Sequence, residues 1–208
     1  MHRVLLSSSR ASAYPLAQRR SQLRLGEGSI DRRARDGQEP VVGFSLAGDE
    51  AGFPPGLFAE AFASAAGAGL GCTVHAGEWA GADSVRAALE LPVSRLSHGV
   101  RAIEDPALVA ELAARGTVLE VCPTSNVALG VFGSYEEHPL RALVDAGVRV
   151  TLGSDDPPYF GATVAGEYAL ARTRFGLADD RLLAITRTAV DAAFAEPELR
   201  ATLRQRVG

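Results

Sequence analysis

The stretch Val148-Arg149-Val150-Thr151-Leu152-Gly153-Ser154-Asp155-Asp156-Pro157-Pro158 runs from an apolar strand into two adjacent carboxylates and a proline-stopped turn. Upstream, the arrangement recurs: Leu70 to Val74 leads into His75-Ala76-Gly77-Glu78, Val93 to Leu96 into His98-Gly99, and Val118 to Val121 into Cys122-Pro123. Together with Gly48, which follows a strand from Val41 to Leu46, these strand ends lie about 23 to 33 residues apart. That is the length of one strand plus one helix in a β/α repeat. Parallel strands of such a repeat point the same way, so the side chains at their C-terminal ends converge on one face of a barrel.

The intervening segments read as the helices this scheme needs. Leu57 to Ala66 follows Pro54-Pro55, Ser84 to Leu89 is short, and Asp105-Pro106 caps and opens a helix that Arg115-Gly116 closes. Leu140 to Ala146 ends at Gly147, and beyond the paired acids Gly166 to Arg174, Asp180 to Ala193 and Pro197 to Arg204 form a purely helical tail. Adding a strand at Val4 to Leu6 makes six strands, whereas a closed barrel of this type needs eight and ~250 residues. An open parallel sheet would carry a Gly-rich turn after its first strand, which the sequence does not show. The expected fold is therefore α/β: an incomplete TIM-type β/α barrel with the first two strands missing and a helical C-terminal tail. Residues 1–40 read as a partial βα unit whose segment 11–40 lacks a clean apolar period, and residues 41–208 as the rest of the barrel.

The 208 residues are 47% hydrophobic and 22% charged, enough apolar material for one sizeable core. A net charge of −4 gives a polyanion no purchase, so nucleic acid is not an expected partner and a small molecule is. Cys72 and Cys122 have no CxxC partner, which points to reduced thiols and a cytoplasmic setting, and two cysteines are too few for a cysteine zinc site. No apolar run approaches the ~20 residues that span a bilayer, so no membrane partner is expected. The first 26 residues carry Arg and Ser without acid, a composition that transit peptides share.

At the strand ends, His75 offers an imidazole for a metal and Glu78, three residues on, a carboxyl for proton transfer. The plain alternative is a polar rim histidine and an acid favoured by a helix dipole. His98 reads either as a structural residue or as part of the same pocket. Consecutive residues do not easily ligate one ion, so of Asp155 and Asp156 one suits a metal and the other a substrate, against the alternative of an Asx turn before Pro157. On one face, His75, Glu78, His98, Asp155 and Asp156 make a hydrolytic site with a divalent ion. Zinc accepts imidazole and carboxylate ligands and brings the pKa of a bound water to ~7. His75 and Asp155 supply two ligands where three protein ligands are usual. His2 lies at the wrong end of its strand and His138 precedes a proline, so neither is recruited.

Five motifs in order, Ser45-Leu46-Ala47-Gly48-Asp49-Glu50, His75 to Glu78 (HAGE), Ser97 to Gly99 (SHG), Cys122 to Asn126 (CPTSN) and Ser154 to Pro157 (SDDP), resemble the adenosine/adenine deaminase family, zinc-dependent aminohydrolases on a β/α barrel. The resemblance spans about residues 41 to 168. It implies His75 and Asp155 as ligands of one Zn2+, Glu78 as the acid that protonates purine N1, and His98 as the group that orients the attacking water. It further implies Asp156 at purine N7 and the backbone N–H of Gly48 at N3. Burial beside a purine would raise the Glu78 pKa in the direction its role requires. Two departures stand out. The family's His-x-His pair, which supplies two more zinc ligands, is absent, and Ser45 stands where family members commonly have Asp. The implied activity is hydrolytic deamination of adenosine to inosine and ammonia, with adenine deamination as one alternative and an inactive remnant lacking half the ligands as the other.

Overall fold

The computed structural model describes residues 41–208, so the expected strand at Val4 to Leu6 and the segment to residue 40 lie outside the described residues. Five strands, β1 (Gly43–Leu46), β2 (Gly71–Ala76), β3 (Arg95–His98), β4 (Val118–Val121) and β5 (Arg149–Leu152), form one sheet in the order β1-β2-β3-β4-β5. All four pairings are parallel, with Ser45 opposite Thr73, His75 opposite Ser97 and Glu120 opposite Thr151. Sequential parallel order with a helix in each crossover is how a β/α barrel wall is built. The fold is thus the expected partial barrel.

The helices are α1 (Ala59–Gly67), preceded by a 3-10 turn at Pro55–Phe58, then α2 (Gly81–Leu89), α3 (Pro106–Arg115), α4 (Pro123–Ala128) and α5 (Leu140–Asp145). After β5 come α6 (Pro157–Phe160), α7 (Val164–Thr173), α8 (Asp179–Ala192) and α9 (Pro197–Val207), with α8 packed on β5 and α9 on α8. The helical tail is as expected. Asp105 caps α3 by accepting from the N–H groups of Ala107 and Leu108, and Pro106 opens it at the position where its missing N–H costs nothing.

The core lies between sheet and helices. Val74, Leu96, Leu119 and Val121 from the strands meet Phe62, Val85, Leu108, Leu112 and Leu143 from the helices, all fully buried. Each such side chain contributes about 1.5–3 kcal/mol by leaving water. The opposite face of the strands, facing the barrel interior, is polar. Glu120 there accepts from Thr73 Oγ1 at 2.8 Å and Ser97 Oγ at 2.9 Å, and pairs with Arg95 at 3.3 Å.

Two local expectations need correction. The third strand covers Arg95–His98, not Val93 to Leu96. The reason is a tight turn in which the Val93 N–H donates to Leu91 O at 2.7 Å, so extended pairing starts only when Ser94 N–H reaches Cys72 O. Cys122-Pro123, read only as the exit from the fourth of these strands, opens a helix that was not expected: Cys122 is the N-cap of α4 and Pro123 its first residue. Residues 123–128 carry no apolar i, i+3, i+4 stripe, unlike the equally short α5 with Leu140, Leu143 and Val144. Cys72 does sit in β2, and both thiols are buried and unpaired.

Candidate active site

The C-terminal ends of β2, β3, β4 and β5 bring together the residues that sequence scattered. His75 lies in β2 on the barrel-interior side, and the chain turns at Gly77 to place Glu78 behind it. Strict alternation along β3 would send His98 to the helix side with Leu96. Instead His98 takes a φ of 64°, and its ring lies 5.0 Å from the His75 ring, edge to face. Asp155, just past β5, has a φ of 53°. Among the described residues, His98 and Asp155 are the two non-glycine positions with left-handed φ. Such backbone costs of order 1–3 kcal/mol each, and its coincidence with candidate site residues is the usual signature of function.

Potential ligand atoms of His75, Glu78 and His98 lie within 4.8 Å of one another, and so do those of His98, Cys122 and Asp155. His98 belongs to both groups, so His75 and Asp155 flank it on a common rim. His75, Glu78 and His98, with Asp155 beside His98, offer imidazole and carboxylate donors of the kind a divalent cation such as zinc takes. Asp156 follows at the N-cap of α6, exposed at the mouth, with no capping bond from its side chain. The Asx-cap alternative is therefore not how it is used. Gly48 is exposed just beyond β1, with a φ of 133°. Among the described residues, no hydrogen bond joins Gly48 to the cluster.

Electrostatics match the geometry. Burial first, then the negative charges of Asp155 and Glu50, push the Glu78 carboxyl up to about 7. Burial lowers the His75 pKa against opposing carboxylates, chiefly Asp155, which favours the neutral imidazole that a metal needs. Burial and the neighbouring His75 together hold His98 well below its ordinary value. The Cys122 thiol is pushed far up, first by burial and then by Asp155, so it stays protonated and inert.

Several residues that sequence reasoning quoted without a role, or set aside, prove to organise the site. Glu50, 6% exposed, accepts from the backbone N–H groups of Gly77, Glu78 (3.1 Å), Trp79 (2.8 Å) and Ala80 (3.4 Å), and so clamps the turn that carries Glu78. Ser125 donates to Asp155 Oδ2 at 2.6 Å. Glu167 on α7, almost fully buried, accepts from Thr124 N–H at 3.2 Å and anchors the start of α4. Asn126, fully buried, reaches Glu78 Oε1 at 3.3 Å, His98 Nδ1 at 3.2 Å and His138 Nε2 at 3.2 Å. The CPTSN and LAGDE motifs were the available signals for Asn126, Ser125 and Glu50. His138, judged by its neighbouring proline, carried none.

Known proteins resemble this chain in sequence and fold. The sequence model of the family described as adenosine deaminase matches residues 16–208. An adenine deaminase of Rhizobium leguminosarum is 51% identical over 181 residues, covering 86% of this chain and 56% of the relative. Among solved structures, an adenine deaminase from Arthrobacter aurescens superposes with a TM-score of 0.77 at 33% identity, over 81% of this chain and 52% of the other. An amidohydrolase from Burkholderia ambifaria, solved with bound Zn, superposes at 0.75 with 28% identity over 82% of this chain and 48% of the other. The chain spans about half the length of the curated relatives it matches. From the ordered motifs, the parallel barrel wall and a match covering most of its length, the chain belongs to the adenosine deaminase family.

Proposed function

We propose that this chain forms part of a zinc-dependent aminohydrolase acting on adenine, giving hypoxanthine and ammonia. The observation that carries the reading is the convergence of His75, Glu78, His98 and Asp155 at adjacent strand ends, in a chain half identical to proteins named adenine deaminase. The motifs pointed first to adenosine. The names of the relatives favour the base over the nucleoside.

His75 and Asp155 would hold the zinc, which when bound supplies Lewis acidity and an acidified water. Glu78, whose carboxyl keeps its proton up to about pH 7, donates it to purine N1 and depletes electrons at C6. His98 orients the water whose oxygen adds to C6. Asp156 takes N7, and the Gly48 N–H takes N3. The tetrahedral carbon then expels ammonia, so one water is consumed per base. Two free, buried cysteines support the cytoplasm as the working compartment.

A second reading, that the 208-residue chain is inert alone, is favoured by the ligand count, since no His-x-His occurs in the sequence. One experiment separates these. Zinc content is measured on the purified chain, and adenine and adenosine are each followed by ultraviolet absorbance. Stoichiometric zinc with turnover of adenine supports the proposal, and a higher kcat/KM for adenosine overturns the substrate assignment. Absent zinc and absent turnover support the inert reading.

A further inference from the structure

We infer that the backbone N–H of Leu140, acting through His138 and Asn126, sets the tautomer of His98 and so makes it a hydrogen-bond donor, not a ligand, at the cation site. The inference rests on the proposed aminohydrolase site and assigns positioning roles to two residues outside it. A backbone N–H can only donate, and that of Leu140 points at His138 Nδ1 from 3.2 Å. Nδ1 of His138 must therefore be the bare nitrogen, which leaves the proton of the neutral ring on Nε2. Nε2–H faces Asn126 at 3.2 Å, so the Asn126 atom there is the carbonyl oxygen.

The amide orientation follows, and with it the rest. The NH2 of Asn126 faces inward and has two hydrogens for two acceptors, Glu78 Oε1 at 3.3 Å and His98 Nδ1 at 3.2 Å. Because Nδ1 of His98 accepts, its Nε2 carries the proton, 3.5 Å from Glu78 Oε2. An imidazole nitrogen that bears hydrogen has no lone pair for a metal. His98, although its donor atoms lie close enough to those of His75 and Asp155 to be a candidate ligand, is thereby reserved to donate to an oxygen.

The relay is built to hold its direction. His138 is 4% exposed, its ring packed edge-on between Phe132 at 5.0 Å and Phe175 at 5.5 Å. Asn126 and His98 are 0% and 2% exposed, so water cannot substitute for either partner. Burial keeps His138 neutral down to about pH 4, which preserves its one-donor, one-acceptor polarity at neutral pH.

Long-range proton–nitrogen correlation spectra of the 15N-labelled chain read the tautomers directly, with only four histidines to assign. The expected result at pH 7.5 is the Nε2–H form for both His138 and His98, retained by His98 when zinc alone is added. In His138→Leu, His98 becomes a mixture of tautomers, and His138→Gln, whose amide can still donate to Asn126, restores the single form. A Nδ1–H signal on either ring of the unaltered chain, loss of the His98 Nε2 proton on zinc addition, or an unchanged His98 in His138→Leu overturns the inference. The unaltered chain decides the matter even if the variants fail to fold. Failure to turn over adenine with these spectra intact would remove the functional reading and leave the relay standing.

Discussion

At the scale of single residues, the site spends stability to place charge. Glu78 ionises at 4.5 in an unfolded chain and at about 7 when folded, so between those values the folded state binds more protons and stability falls as pH rises. The gap is worth roughly 3 kcal/mol, lost by pH 8 in the metal-free chain. Glu78→Gln cannot ionise. Urea unfolding at pH 4 and pH 8 should therefore show the variant gaining roughly 3 kcal/mol on the unaltered protein across that range; a constant difference would show that Glu78 is not held protonated. In an active holoenzyme the same change should keep zinc and lose most turnover, since a carboxamide N–H is too weak an acid to protonate N1. His75 and Glu78 were legible because both stand at a strand end in a recognisable motif. Asn126 was legible only as a member of CPTSN and His138 not at all, because a buried hydrogen-bond hub has the same sequence appearance as any polar residue.

At the scale of elements, each strand is terminated by a turn that aims its last side chain. Gly99, with a φ of 67°, follows His98 so closely against β4 that a Cβ there would stand 2.5 Å from Leu119 Cδ2. Gly99→Ala combines a left-handed backbone with a clash against a fully buried leucine, and should cost about 1–3 kcal/mol in a denaturant titration. Loss of the His98–Asn126 contact should accompany it, visible as a shifted His98 resonance. An unshifted stability would mean the β3–α3 turn adapts. Helices α1, α2, α3 and α8 were readable from caps and apolar stripes. The start of β3 and the existence of α4 were not, since a three-residue turn at Leu91–Val93 and a helix of sequence Pro-Thr-Ser-Asn-Val-Ala leave no apolar period, whereas the equally short α5 shows Leu140, Leu143 and Val144 on one face.

At the scale of the whole molecule, the five-stranded sheet leaves the outer sides of β1 and β5 without a strand partner among the described residues. Its polar inner face, with Glu120 and Arg95, is part of the same incomplete wall. A metal held by His75 and Asp155 would couple to this architecture, because the two come from β2 and from the loop after β5. If the site takes zinc, free metal at a hundredfold over its Kd should raise unfolding free energy by about 2.7 kcal/mol. His75→Ala and Asp155→Ala should each abolish the rise in a thermal melt. A rise of equal size in either variant would place the ion elsewhere.

The sequence by itself determined the repeat length, the strand ends and the five motifs, hence the β/α class, the family and the residue types offered to a metal, because local patterning and spacing are written in the chain. Tertiary structure alone decided which nitrogen of His98 carries its proton, how Glu50 pins the turn at 77–80 and Glu167 the start of α4, and that His98 faces the mouth and not the helices. Those outcomes depend on hydrogen bonds between residues far apart in sequence and on a left-handed φ that breaks strand alternation, and neither leaves a local signature.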